Sequence, residues 1–124
     1  MHKILSTEAA WFAGLFEGEG SVGVYKDHPT LRLALHNRDA DVINRIKEIL
    51  NCGYINGPYY RPDGCVVLYF CIGKIMDIYR TIKLIYPYLG LRRRGQCDIV
   101  LEYIENTLTF KKVSNNESSN YSGS

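Results

Sequence analysis

The chain is poor in the features that would assign it at a glance. No apolar run approaches the roughly 18 residues that span a bilayer. The opening Met1-His2-Lys3-Ile4-Leu5-Ser6 has neither the long apolar stretch nor the small-residue cleavage site of a secretory signal, and there is no lipidation signature. The expectation is an intracellular protein without a membrane partner, in an organelle, a bacterial cytoplasm or a phage-infected host alike. Cysteine is sparse: Cys52, Cys65, Cys71 and Cys97 form no Cys-x-x-Cys pair and have no matching His ligands. That pattern argues against a zinc site and a disulfide framework, and favours reduced, mostly buried thiols. Charge of one sign is also lacking, since the formal net charge is only +2. By itself that figure does not point to nucleic acid.

What is present is an ordinary globular composition, 46% hydrophobic and 23% charged, which sets collagen-like, disordered and membrane classes aside. A length of 124 residues suits one core. The domain is expected over 1–113, followed by a disordered tail over 114–124 that is nearly all Ser, Asn and Gly. The charges are unevenly placed. From Cys52 to Arg94 the basic residues Arg61, Lys74, Arg80, Lys83, Arg92, Arg93 and Arg94 face only Asp63 and Asp77. A surface built from that stretch is locally positive.

Periodicity divides the chain into eight elements. Thr7 to Glu17 reads as a helix, with Ser6 or Thr7 as N-cap and Glu8 in its first turn. Ser21 to His28 alternates as a strand, and His28-Pro29-Thr30 turns it into a second strand over Leu31 to Asn37. A helix from Asp39 carries Val42, Ile43, Ile46, Ile49 and Leu50 at helical spacing and stops near Asn51-Cys52-Gly53. A second hairpin, Tyr54 to Arg61 and Cys65 to Ile72, turns at Pro62-Asp63-Gly64, and its Gly57-Pro58 marks an irregular or edge strand. Helices over Lys74 to Ile85 and Gln96 to about Phe110 complete the order α-β-β-α-β-β-α-α. The fold class is α+β with one four-stranded antiparallel sheet.

Alternation assigns Val22, Val24, Leu31, Leu33, Leu35, Leu68, Phe70 and Ile72 to the sheet face that packs on helices. The other face carries Tyr25, Asp27, Thr30, Arg32, His36, Asn56, Tyr60 and Tyr69. It reads either as a solvated polar face or as a sheet that reads nucleic acid. Tyr54, Tyr79, Tyr86, Tyr88 and Tyr103 fall on mixed or apolar faces and are expected in the core or an interface.

One segment is unlike an ordinary helix. In Ala10-Trp11-Phe12-Ala13-Gly14-Leu15-Phe16-Glu17-Gly18-Glu19-Gly20-Ser21, Gly14 and Gly18 lie four apart on one helical face. Each costs about 1 kcal/mol of helix propensity relative to alanine. With Ala10 they make a strip without bulk, suited to close approach of another helix, and the natural partner is the same strip of a second copy. Glu17 and Glu19 sit at the helix C-terminus, where the dipole disfavours carboxylates and a bound cation would reverse the penalty.

The nine residues Phe12-Ala13-Gly14-Leu15-Phe16-Glu17-Gly18-Glu19-Gly20 resemble the signature of the LAGLIDADG homing endonucleases, with Glu17 and Glu19 in place of its two aspartates and Phe12 in place of its first leucine. The element order, the Leu35-His36-Asn37-Arg38-Asp39 strand exit and the Tyr86-Pro87-Tyr88-Leu89 segment before a basic cluster extend the resemblance over nearly the whole chain.

The resemblance implies a saddle-shaped sheet on double-stranded DNA and a homodimer joined through the motif helices at Ala10, Ala13, Gly14, Glu17 and Gly18. It implies site-specific cleavage of a long pseudo-palindromic target by metal-dependent hydrolysis. Glu19 and the Gly18 main-chain carbonyl are then ligands of magnesium or another divalent ion such as manganese. Glu17 is structural, Asn37 orders the attacking water or merely caps a turn, and Arg94 offsets charge at the cleaved phosphate, with Arg92 and Arg93 as candidates for the same place. Tyr25, Asp27, Thr30, Arg32, His36, Arg38, Asn56, Tyr60, Arg61, Tyr69, Arg92 and Arg93 are the expected DNA contacts. On the same fold, a nuclease-dead DNA-binding regulator or an intron-RNA maturase is the alternative.

Overall fold

The computed structural model describes residues 3–109 in full and, beyond them, only the helix assignment that runs to Ser122; the tail expected at 114–124 lies outside the fully described residues. The elements run α1 (Ser6–Glu19), β1 (Gly20–Tyr25), β2 (His28–His36), α2 (Ala40–Leu50), β3 (Tyr54–Tyr60), β4 (Val66–Ile72), α3 (Ile75–Ile85) and α4 (Leu91–Ser122). Short 3-10 turns lie at Asn37–Asp39 and Tyr86–Tyr88. The four strands form one antiparallel sheet in the order β1-β2-β4-β3. The α+β class and the element order are as the sequence predicts.

All four helices contribute to one core against one face of the sheet. Phe12 and Phe16 of α1 meet Ile43 and Ile46 of α2, Ile78, Ile82 and Ile85 of α3, and Val100 and Ile104 of α4 in a cluster that includes Leu31, Leu33 and Phe70. Phe12 packs edge-on to Phe70 with ring centroids 6.5 Å apart. Burying each such side chain contributes about 1.5–3 kcal/mol. Among the eight residues assigned to this sheet face, Val24 and Leu35 are only half-buried and the rest are buried.

Several boundaries differ from expectation, each for a local reason. The N-cap of α1 is Leu5, one residue before Ser6, because Glu8 reaches back to accept the Leu5 N–H at 3.0 Å. The first hairpin turns at Lys26 and Asp27, not at His28-Pro29-Thr30. Both turn residues have positive φ, 49° and 62°, the two-residue geometry that matches strand twist. Pro29 is tolerated inside β2 because β4 does not pair with that strand before Leu31. The last helix starts at Leu91 instead of Gln96, so Arg92, Arg93 and Arg94 occupy its first turn and not a loop.

Candidate nucleic-acid interface and motif-helix end

The two faces of α1 differ sharply. Ala9, Phe12, Ala13 and Phe16 are buried in the core. Gly14 and Gly18 are exposed, and a Cβ built on either would meet nothing within 4 Å. Nothing in the described chain therefore requires glycine at these two positions. Ala13, expected in the pairing strip, is fully buried in its own core and cannot line that strip. Ala10 is half-buried. Gly20 is the opposite case, since a Cβ there would stand 2.2 Å from the Phe16 ring. The chain can leave the helix under Phe16 only as glycine.

At the C-terminal end of α1 the two glutamates part. The Glu17 carboxylate accepts the Gly90 N–H at 2.5 Å, directly before the first residue of α4. An anion there complements the α4 dipole. Arg93 answers from the other side: its Nε donates to the Glu17 main-chain carbonyl at 3.1 Å and lies 3.8 Å from the Glu17 carboxylate, while Nη1 donates to Gln96 at 2.9 Å. Its guanidinium also stands 5.6 Å from the centre of the Phe16 ring. The last turn of α1 has no basic residue of its own, so Arg93 supplies the cation and one donor that its terminal carbonyls lack. Glu17 thus ties the end of α1 to the start of α4. Glu19 is exposed and makes no hydrogen bond or ion pair among the described residues.

The three arginines have three different environments. Arg93 is only 7% exposed, and its bonds within the protein leave it no reach to DNA. Arg94 donates through Nε to the Tyr86 carbonyl at 3.2 Å and through Nη2 to the Pro87 carbonyl at 3.0 Å, closing the end of the 3-10 turn. Arg94, favoured from the sequence to offset charge at the cleaved phosphate, therefore has its guanidinium engaged by two carbonyls of its own chain. Arg92 is exposed, with no partner among the described residues.

Glu19, Asn37 and the start of α4 lie at one end of the structure. Gly20, next to Glu19, pairs with Leu33 on the strand that ends directly before Asn37, and the Glu17 bonds tie the first turn of α4 to the same helix end. Asn37 is exposed. It is not the cap of its turn, because His36 Nδ1 accepts the Arg38 N–H at 3.0 Å and does that work. No group of three or more His, Cys, Asp or Glu residues is assembled to hold a metal among the described residues. One carboxylate and one main-chain carbonyl are part of an oxygen-ligand set suited to a hard cation, and a second copy, a phosphate and water can supply the rest.

The open face of the sheet forms a concavity of about 760 Å³ lined in part by Gly23, Tyr25, Thr30, Arg32, Asn56 and Cys71. Tyr25, Thr30, Arg32 and Asn56 are exposed on it, and Tyr69 is half-buried. Thr30 leans on the Gly23 carbonyl at 3.5 Å, and the Asp27 carbonyl accepts the Tyr103 hydroxyl of α4 at 2.6 Å, which fastens the hairpin tip. Arg38 and Arg61 are exposed at strand exits. Tyr54, expected in core or interface, is 52% exposed. Burial raises the Cys71 thiol above its ordinary range, so it stays protonated on this face at neutral pH.

Tyr60 is not where alternation puts it. A register shift between Asn56 and Tyr59 inserts one extra residue, so Asn56 pairs with Tyr69 but Tyr59, not Pro58, pairs with Val67. Tyr59 thereby shares the face of Asn56 and Tyr69, and Tyr60 changes sides, opposite Val66. Gly57-Pro58 within the strand is the signal that parity would break.

No protein-family model matches the chain, and no curated protein matches it. Solved structures do. The homing endonuclease I-CvuI, in complex with its target in the presence of calcium, superposes with a TM-score of 0.69 at 24% identity, over 86% of this chain and 71% of that one. The homing endonuclease I-TnaI gives 0.65 at 18% identity, over 82% and 73%. The archaeal intron-encoded I-Vdi141I, complexed with DNA, gives 0.64 at 17%, over 83% and 70%. Longer relatives are matched over a smaller share: against the LAGLIDADG meganuclease I-AabMI this chain spans 40% of the length. The protein is an antiparallel α+β saddle, and its fold is that of the LAGLIDADG homing endonucleases.

Proposed function

We propose that the chain is one subunit of a homodimeric, divalent-metal-dependent DNA endonuclease of the LAGLIDADG type, acting on a long, pseudo-palindromic duplex site. One observation carries the reading: among the described residues the exposed strip at Gly14 and Gly18 faces nothing and leads to an exposed, unpaired Glu19. Two copies joined through that strip bring two Glu19 carboxylates together. The fold and the exposed donors on the sheet support DNA as the partner.

In this reading Glu19 and the Gly18 carbonyl hold magnesium or a similar divalent ion. When bound, the ion supplies positive charge that lowers the pKa of water and stabilises the scissile phosphate. Asn37, exposed at the same end, orients the water through its side-chain amide. Arg92 is the arginine free to neutralise phosphate charge, and as arginine it acts electrostatically and not as a base. Arg93 and Glu17 touch no substrate; they hold the helix end from which Glu19 projects.

The test is cleavage of a duplex library by the purified protein with magnesium. Glu19→Gln is expected to abolish cutting and leave binding intact, and undiminished cutting by this variant would refute the role of Glu19. Salt-dependent duplex binding without any cutting by the wild-type chain would replace the nuclease reading with the regulator reading; tighter binding to intron RNA than to duplex would favour the maturase.

A further inference from the structure

Four side chains on the open sheet face form a continuous string across three strands. The Arg32 guanidinium on β2 lies over the Tyr69 ring on β4, 4.8 Å from its centre. Tyr69 meets Tyr59 of β3 edge to face at 5.7 Å. The Tyr59 hydroxyl donates to Asn56 Oδ1 at 2.7 Å. Arg32, Tyr59 and Asn56 are exposed, whereas Tyr69 is half-buried beneath the string.

The chemistry at the two ends follows from these contacts. The contact with the ring uses the charge of the guanidinium and none of its N–H donors, which leaves those donors for a ligand. The Tyr59 bond takes one of the two lone pairs of the Asn56 carbonyl oxygen and leaves both NH2 donors unengaged. An asparagine reads adenine by donating to N7 while accepting from N6, and that second contact needs Oδ1. With one lone pair of Oδ1 and the plane of the amide held by Tyr59, Asn56 has a single acceptor position left against two free donors, and the balance moves toward donation.

We infer that Tyr59 is a specificity-determining positioning residue that biases Asn56 away from adenine and toward base acceptors, guanine O6 and N7 or thymine O4, by holding the amide through its oxygen. Tyr69 holds Arg32 for guanine in the same string. The inference rests on the DNA-binding reading above and adds which base edges the sheet accepts. It depends on the register shift in β3, which alone puts the Tyr59 hydroxyl on this face.

Selection from a randomised duplex library in calcium, followed by sequencing of the bound fraction, tests it with wild type, Tyr59→Phe and Asn56→Ala. Phenylalanine keeps the ring against Tyr69 and removes only the hydroxyl. The position at which Asn56→Ala loses its preference identifies the base that Asn56 contacts. Wild type is expected to disfavour adenine there, and Tyr59→Phe to gain adenine by about tenfold at that position alone. An unchanged base profile in Tyr59→Phe, or a wild-type preference for adenine at that position, overturns the inference while duplex binding still stands. If wild type binds no duplex in a salt-sensitive way, the DNA reading falls and the inference falls with it.

Discussion

The two faces of α1 are a few ångströms apart and are built on opposite rules. On the inner face Ala9, Phe12, Ala13 and Phe16 are completed by their own chain, with Phe16 so closely covered that Gly20 has no room for a Cβ. On the outer face Gly14 and Gly18 carry a propensity penalty and receive nothing from the described residues in return. A residue choice that is unfavourable within a subunit and touches nothing in it points outside the subunit. The inner face explains stability, and in the proposed dimer the outer face serves association and chemistry.

That contrast can be broken most severely from the inside. Phe16→Ala should destabilise the fold by roughly 3–5 kcal/mol in denaturant unfolding, through lost burial and the cavity left beneath Gly20. A loss under 1 kcal/mol would mean that the inner face is not the stabilising one. At the junction of the faces, Glu17→Ala removes the acceptor for Gly90 and an oxygen partner of the buried Arg93. The expected cost is about 2 kcal/mol, with cutting reduced because the end of α1 loosens. Full activity with reduced stability would separate the Glu17 clamp from the placement of Glu19.

On the outer face the sign itself is informative. Gly14→Ala should raise the stability of the unassociated chain by up to about 1 kcal/mol and weaken pairing in sedimentation. Tighter pairing, or no change in it, would remove Gly14 from the interface. The smallest effect concerns pH. Burial pushes the Cys97 thiol from 9.0 up to about 11, so the fold favours its protonated form. The stabilisation is present in full below pH 9 and is lost as pH rises toward 11, where the unfolded chain ionises first. Alkylation of the native protein at pH 8 should therefore label the half-exposed Cys65 well before Cys97.

Much of this was legible from residue order. The alternation of Val22, Leu31, Leu33, Leu68 and Phe70 placed the core face of the sheet because strand periodicity is strict and burial rewards it directly. Tyr60 was misplaced by the same strictness, since one inserted residue in β3 reverses every side chain beyond it. The arginine run resisted for another reason. Three identical neighbours on a helix point in three directions, and what each meets is set by segments far away in sequence: Glu17 for Arg93, the Tyr86 turn for Arg94, solvent for Arg92.

By itself, then, the sequence determined the element order, the α+β class, the core side of the sheet and the bare strip of the motif helix, because each follows from local periodicity or from the propensity of single residues. Only the tertiary structure decided which glutamate is clamped and which is free, which arginine is left to solvent, and that Tyr59 and not Tyr60 stands beside Asn56. Those choices depend on contacts between residues distant in the chain, where a shift of one position changes the partner and leaves the local pattern as it was.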